Sequence, residues 1–397
     1  MVVKLCKKPE IMQEALVLYG STDFGSPQYS GDILWRARFR APDPFWLVEI
    51  AGRPHLFVSS LEYGRAVKEA RAGRVMLLER RRGEEAIDTI IGFLRSKHIT
   101  GVMVSKQFPY AAGRALEKRF RVEVRRDTLY PERAEKTVWE VAEMQKVQRA
   151  CERAMARAMD FLAACRIRGR YLYSGQTRAT SEMLRAAIDR ALYEDGCLGI
   201  GTIASCGLQA ADPHALGTGA LRPYEPMVLD IFPVSRATHY YADMTRTVFK
   251  GEPSLDMQRM YEAVRAAQDQ AIAMIRPGVR ADAIHREAAR SLESWGYKTD
   301  LSKRPPEGFI HGLGHGVGLD IHEEPYLGAG SSSVLEVGNV ITVEPGLYYR
   351  RARRSAGARG SIIPAGGIRI EDMLVVTKTG SRSITRFPKN LGDMIIS

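Results

Sequence analysis

Short apolar runs alternate with amphipathic stretches through the first third of the chain. FWLVEIAG (Phe45–Gly52), HLFVSS (His55–Ser60), RVMLLER (Arg74–Arg80) and GVMVS (Gly101–Ser105) predict strands. LEYGRAVKEARAG, EEAIDTIIGFLRSKH and AAGRALEKRF, which lie between and after them, have helical period. That alternation predicts an α/β layout around a largely buried sheet. Pro131 and the charges of LYPERAEKT (Leu129–Thr137) break the pattern, so a boundary is expected there, giving units 1–134 and 135–397. A long amphipathic helix is then predicted from about Val138 to Cys165.

The second unit carries a faint internal repeat. SEMLRAAIDRALYEDG (Ser181–Gly196) and ADAIHREAARSLESWG (Ala281–Gly296) align at an offset of one hundred residues. Both are helical in period, start with an acid in the first turn and end at glycine. Each precedes a β-rich region, which predicts two related halves with helices packed on antiparallel sheet, an α+β arrangement.

Composition narrows the class. A chain of 397 residues, 45% hydrophobic and 26% charged, reads as soluble and globular with one large or two ordinary domains. No apolar run reaches the length of a membrane span, and MVVKLCKKPEIMQEA lacks the apolar core of a signal peptide, so a cytoplasmic protein without a membrane partner is expected. Five cysteines (Cys6, Cys151, Cys165, Cys197, Cys206) without C-x-x-C spacing suit free thiols in a reducing compartment. The net charge of +12 raises nucleic acid as a partner. ERRRGEE (Glu79–Glu85) is interleaved with acids, and RRARRSAGAR (Arg350–Arg359) is a basic loop with no accompanying nucleic-acid motif. Solvated surface is the favoured reading of both, so no nucleic-acid partner is expected.

Candidate chemistry gathers in four places. HGLGHGVGLDIHEEP (His311–Pro325) holds three of the eight histidines. Its alternating glycines disfavour a helix and leave room for close approach. In extended chain His311 and His315 share a side, and His322 joins them only through a bulge or bend. A Gly-rich loop with scattered histidines is the plain alternative. A phosphate loop fits less well, because G-x-G-x-x-G fails at Val317. VLDIFPVSRATHYYADMTRTVFKG (Val228–Gly251) predicts a β-hairpin turning near Ser235–Thr238, with Asp230 directly opposite Asp243. Two carboxylates about 5 Å apart repel unless they share a proton or hold a cation. The D-T/S-G signature of acid proteases is absent, which leaves a divalent cation as the simpler solution, or solvated aspartates if the register differs. Glu344, closing NVITVE, and Glu371, inside GIRIEDMLVVT, are acids in apolar strands, costly unless paired or metal-bound. Four carboxylates and a histidine match two divalent cations in charge, and oxygen with imidazole suits Mn, Co, Fe or Zn.

These motifs, in this order, closely resemble the pita-bread metallopeptidases, nearest the Xaa-Pro group of aminopeptidase P, prolidase and their creatinase-like relatives. The resemblance covers about residues 140 to 385, and more loosely the extra N-terminal α/β domain of that group. It implies two divalent metal ions, Mn first among Mn, Co, Zn and Fe. The implied ligands are Asp230, Asp243, His315, Glu344 and Glu371, with Asp243 and Glu371 bridging. His214 would line the substrate site, His311 and His322 would hold substrate and the tetrahedral intermediate, Glu344 would shuttle protons, and Arg369 would lie near the second metal. The implied reaction is hydrolysis of the X-Pro bond at the N-terminus of a peptide with proline in second place, by a homodimer. Where most relatives have Asp-x-Gly and a spacing of eleven to the second ligand, this chain has Asp230-Ile231-Phe232 and thirteen. Neither Arg nor Lys lies between His322 and Glu344, where prolidases carry a carboxylate-fixing arginine; Gly330 lies near that place. That favours an aminopeptidase over a dipeptidase. A non-peptidase hydrolase or lyase, or a binding protein on the same fold, stands as the further alternative.

Overall fold

The computed structural model describes residues 14–71, 73–79, 83, 85–126, 128–354 and 362–397. Cys6, Arg80–Arg82 and the distal part of the basic loop, 355–359, lie outside them. The chain divides into two compact units, Met1–Arg133 and Ala134–Ser397.

The first unit is built on a six-stranded sheet, ordered Arg74–Leu77, Arg53–Val58, Phe45–Ile50, Glu14–Gly20, Gly101–Ser105, Arg121–Arg125. Side chains alternate across it. Trp46 and Val48 join one apolar cluster with Ile90 and Leu94, while Phe45 and Leu47 join another with Ile33 and Ala37. Burial on both faces is why FWLV reads as a continuous apolar run. The central strand Glu14–Gly20, the edge strand Arg121–Arg125 and helix Gly31–Ala37 were not foreseen from the pattern. The expected strand Arg74–Arg80 ends at Leu77 and stays largely open at the sheet edge.

In the second unit, helix Val138–Ala164 starts at a reciprocal cap, with Thr137 Oγ1 accepting from the Glu140 N–H at 3.2 Å and Glu140 accepting from the Thr137 N–H at 2.8 Å. It packs on helix Ser181–Glu194, as helix Leu255–Met274 packs on helix Ala281–Ser294. The two shorter helices are the repeat seen in the sequence. Both run out into a left-handed glycine, Gly196 at φ 73° and Gly296 at φ 91°. One pair precedes a four-stranded sheet containing Ile203–Cys206, Met227–Ile231 and Met244–Lys250. The other precedes a five-stranded sheet containing Glu323–Leu327, Gly314–Gly316, Val340–Val343 and Asp372–Val376.

The predicted hairpin forms with a corrected register. Asp230 faces Thr245, not Asp243. The Ser235 N–H donates to Tyr240 O and the His239 N–H donates to Ser235 O, both at 2.9 Å, so the loop occupies 236–239. The first arm also breaks at Phe232, after which Pro233–Ser235 pairs with Cys197–Gly199 in a separate ribbon. A slip of two preserves the face, so Asp243 remains on Asp230's side as a diagonal neighbour.

Candidate metal centre

Strand ends from both sheets deliver the acids to one place. Asp230 sits one residue before the end of Met227–Ile231, and Asp243 immediately precedes Met244–Lys250. Glu344 follows Val340–Val343. Glu371 is the second of the two residues between Gly366–Arg369 and Asp372–Val376, rather than part of a strand interior. The Glu371 N–H donates to Thr245 O at 3.0 Å, and Thr245 Oγ1 donates to Glu371 Oε2 at 2.8 Å, which joins the two sheets at the acids.

The alternating glycines explain how His315 enters. A Cβ on Gly314 would lie 2.1 Å from Thr342 O, and one on Gly316 2.3 Å from Glu324 O. Flanking strands therefore occupy the space beside the glycines. The register shifts between Gly314 and Gly316, a bulge that aims the intervening histidine. The bend required for His322 is present: its ring meets His315 edge to face at 4.3 Å between centroids.

The ligand atoms of Asp243, His315 and Glu371 all lie within 4.8 Å of one another, and these residues are 5%, 7% and 2% exposed. His315 Nε2 is 3.3 Å from Glu344 Oε1 and 3.8 Å from Asp243 Oδ2. Its Nδ1 faces Gly316 O at 3.1 Å, which leaves Nε2 for the acids. Asp230 Oδ1 and Asp243 Oδ1 are buried without a hydrogen-bond partner. Burial, then Glu371 and Asp230, push Asp243 well above the usual carboxylate range, and burial with Glu344 and Asp230 does the same to Glu371. Burial works against charge on Glu344 too, but His315, His311 and Arg369 outweigh it and draw that carboxyl down to about 2. Burial opposes the charge of His315, and Glu344 overcomes it, so the imidazole is raised. Orphaned oxygens, crowded carboxylates and one imidazole are a donor set that fits divalent cations.

Arg369 closes one side. Its Nη2 donates to Asp230 Oδ2 at 2.7 Å, Nη1 to Tyr348 OH at 2.9 Å and Nε to Thr245 Oγ1 at 3.2 Å. His311 Nε2 meets the same Tyr348 OH at 2.9 Å. His214 lies on the exposed loop after the turn Gly207–Ala211, and its neighbour Pro213 accepts from Arg369 Nη1 at 3.3 Å. All nine residues singled out by sequence thus reach the cluster or its rim. Burial lowers His311 and His322, holding both toward the neutral form. Of the basic loop, Arg350 pairs with Asp212 at 3.3 Å and Arg353 with Glu307 at 2.9 Å. Cys151, Cys165, Cys197 and Cys206 are free and buried.

Sequence reasoning passed over Thr245, Thr342 and Tyr348. Thr245 was within reach, because it stands two residues past Asp243 on the same face. Thr342 Oγ1 accepts from the His315 N–H at 3.1 Å and donates to Glu344 Oε1 at 3.2 Å. Nothing in VEPGLYY distinguishes Tyr348, which reaches the site, from Tyr349.

Comparison with known proteins bears on this geometry. The description of metallopeptidase family M24 matches residues 142–378. The chain is 33% identical over 191 residues to an Xaa-Pro dipeptidase of Pyrococcus horikoshii, a match covering 48% of each chain. The chain spans about half the length of that curated relative. Among solved structures, dipeptidase PepE of Mycobacterium ulcerans superposes with TM-score 0.76 at 27% identity, over 97% of this chain and 93% of that one. An X-Pro aminopeptidase of Thermotoga maritima gives 0.74 at 20% identity over 97% of both chains. The pita-bread fold with an N-terminal α/β domain is the fold these likenesses share with it.

Proposed function

Since the chain belongs to metallopeptidase family M24, we propose that its second unit holds two divalent metal ions and hydrolyses the X-Pro bond at the N-terminus of peptides. The observation that carries this reading is the convergence of Asp243, His315 and Glu371 around buried carboxylate oxygens without partners. Asp230, Asp243, His315, Glu344 and Glu371 are the ligands, and manganese is the first metal to test. When bound, the ions supply a Lewis acid and a water acidified to near neutrality.

The chain's own residues do the rest. Arg369 and Thr245 fix Asp230 and Glu371 in place. Glu344, kept ionised by His315 and His311, accepts a proton and returns it to the leaving nitrogen. His311, held by Tyr348, and His322, beside His315, present neutral imidazoles to the scissile carbonyl. His214 lines the entrance. Proline has no N–H and a fixed φ, so recognition rests on shape rather than on a donated hydrogen bond. The first unit is the creatinase/prolidase-like domain of this group, the protein acts in the cytoplasm, and a homodimer is its assembly.

Two chain-length preferences follow from separate observations. The absence of Arg and Lys between His322 and Glu344 supports an aminopeptidase acting on longer peptides. The name of the Pyrococcus horikoshii relative supports a dipeptidase. The deciding experiment strips the metal, reloads Mn, Co or Zn, and follows an X-Pro dipeptide, an X-Pro-Y tripeptide and an X-Ala-Y control by mass spectrometry, with Asp243→Asn alongside. Release of X from the tripeptide alone, with a dead variant, establishes the aminopeptidase. Cleavage of the dipeptide alone establishes the dipeptidase. No cleavage of any peptide with two metals bound would overturn peptidase action and leave a non-peptidase substrate.

A further inference from the structure

Away from the acid cluster, Arg166–Arg168, Tyr171–Ser174 and Thr177–Arg178 form a small antiparallel sheet. Its register pairs Arg166 with Tyr173, Tyr173 with Arg178, and Arg168 with Tyr171. Cross-strand partners share a face, and so do residues two apart on one strand. Arg166, Arg168, Tyr171, Tyr173 and Arg178 therefore stand together on one face.

The opposite face is anchored at Leu172, while Ile167 beside it stays partly exposed. Ile167 pairs there with Leu172, which is fully buried, and the Leu172 N–H donates to Leu221 O at 3.0 Å. The Arg/Tyr face is open: its arginines are exposed and its tyrosines half-buried. Arg170, in the intervening turn, adds a fourth exposed arginine, and segment 166–178 contains no acid.

On helices elsewhere, some exposed arginines have an acid within the same helix, as Arg114 has Glu117 and Arg265 has Glu262, both at 2.7 Å. On this face the polar partners are neutral. Arg168 Nη1 donates to Gln176 Oε1 at 3.0 Å, and Arg178 Nε to Tyr173 OH at 3.3 Å. The guanidinium carbons stand over rings instead, Arg168 at 5.2 Å from the Tyr173 centroid and Arg178 at 4.6 Å from that of Tyr171.

Such a face offers uncompensated positive charge and flat π surfaces at one spacing. An acidic polypeptide would use only the charge. A duplex would keep its bases stacked away from the rings. A single strand uses both, with phosphates on the guanidinium groups and bases on the tyrosines or on the guanidinium planes. We propose that this face binds single-stranded nucleic acid. It spans three strands, roughly 10 Å, room for two or three bases. The sequence clusters assigned to solvated surface are different residues, and the face emerges only once the register is known.

The test uses the full chain and fluorescence anisotropy. The probes are a labelled oligo-uridylate, a duplex of equal length and a poly-glutamate peptide, across a salt series. The single strand is expected to bind best. Combined Arg166→Ala, Arg168→Ala and Arg178→Ala should weaken it at least tenfold and flatten the log–log salt slope by about two, at roughly 0.7 per phosphate contact. Combined Tyr171→Leu and Tyr173→Leu should weaken it about fivefold or more while leaving the slope unchanged. Thermal unfolding confirms that each variant is folded, and Arg178→Gln alone, on the edge strand, replaces the triple variant if that one is not. Equal binding of poly-glutamate or duplex, full binding by the tyrosine variant, or no binding of the single strand at low salt would each overturn the proposal.

Discussion

Arg369 places its guanidinium 2.7 Å from Asp230, and the same side chain reaches Tyr348 and Thr245. A single rigid fork thus fixes one acid of the cluster, the hydroxyl partner of another and the tyrosine that holds His311. Lysine has one point charge and cannot span these three acceptors. Arg369→Lys should therefore lower kcat/KM on an X-Pro-Y peptide by roughly 10- to 100-fold, the range for losing an outer partner of a metal site. Steady-state kinetics on the metal-loaded variant checks this. Unaltered kinetics would mean that Asp230 is held without the fork.

Protons and metal should compete for the cluster. Burial and neighbouring acids raise Asp243 and Glu371 above their ordinary range in the metal-free protein. A raised carboxyl is protonated when folded at pH values where the unfolded chain has released its proton. Its contribution to stability is present at low pH and fades as pH rises through the folded value. Binding a cation displaces those protons. Metal affinity should accordingly rise with pH, and the gap in Tm between loaded and chelated protein should widen from pH 5.5 to 8. Calorimetry in buffers of different ionisation enthalpy should register net proton release. A gap that narrows with rising pH would contradict this account.

Behind the acids, Arg246 is wholly buried. It donates to Thr245 O at 2.9 Å and Glu371 O at 2.6 Å, pairs with Asp372 at 2.8 Å, and reaches Phe387 O and Pro388 O. Arg246→Met strands that carboxylate with Lys389 as its remaining cation, 3.0 Å away, and removes a donor from four carbonyls. Breaking a buried pair from one side costs about 3–5 kcal/mol. Denaturant unfolding should show a loss in that range, and Asp372→Asn in the same background should recover part of it.

Local patterns carried through where one face or one cap decided the outcome. The helix from Val138, the repeated helices ending at Gly196 and Gly296, and the gathering of Asp230, Asp243, His315, Glu344 and Glu371 were all legible. Asp-to-Thr pairing in the hairpin was not, because periodicity fixes the parity of a strand and leaves its partner open to slips of two. The strand Glu14–Gly20 escaped notice because its central place depends on pairing with Gly101–Ser105, far along the chain. Tyr348 belongs to the same class: a buried hydroxyl needs a partner, and only the fold supplies Arg369 and His311.

The glycines around His315 make the sharpest case. The sequence shows that something must approach closely beside them, and the structure shows that neighbouring backbone does so. Thr342 O lies 2.1 Å from where a Cβ on Gly314 would stand, too close for any side-chain rotation to relieve. Gly314→Ala must push apart the strands that carry His315 and precede Glu344. Overpacking of this kind costs about 1–3 kcal/mol, and here the displaced groups sit beside the cluster. Both stability and metal affinity should fall together. Gly330→Ala is the matched control, since nothing lies within 4 Å of its added Cβ, and an open surface site should shift by less than about 0.5 kcal/mol. Denaturant unfolding of both variants, with and without metal, measures the contrast. Equal stability of the two would show that the strands yield at Gly314 without cost.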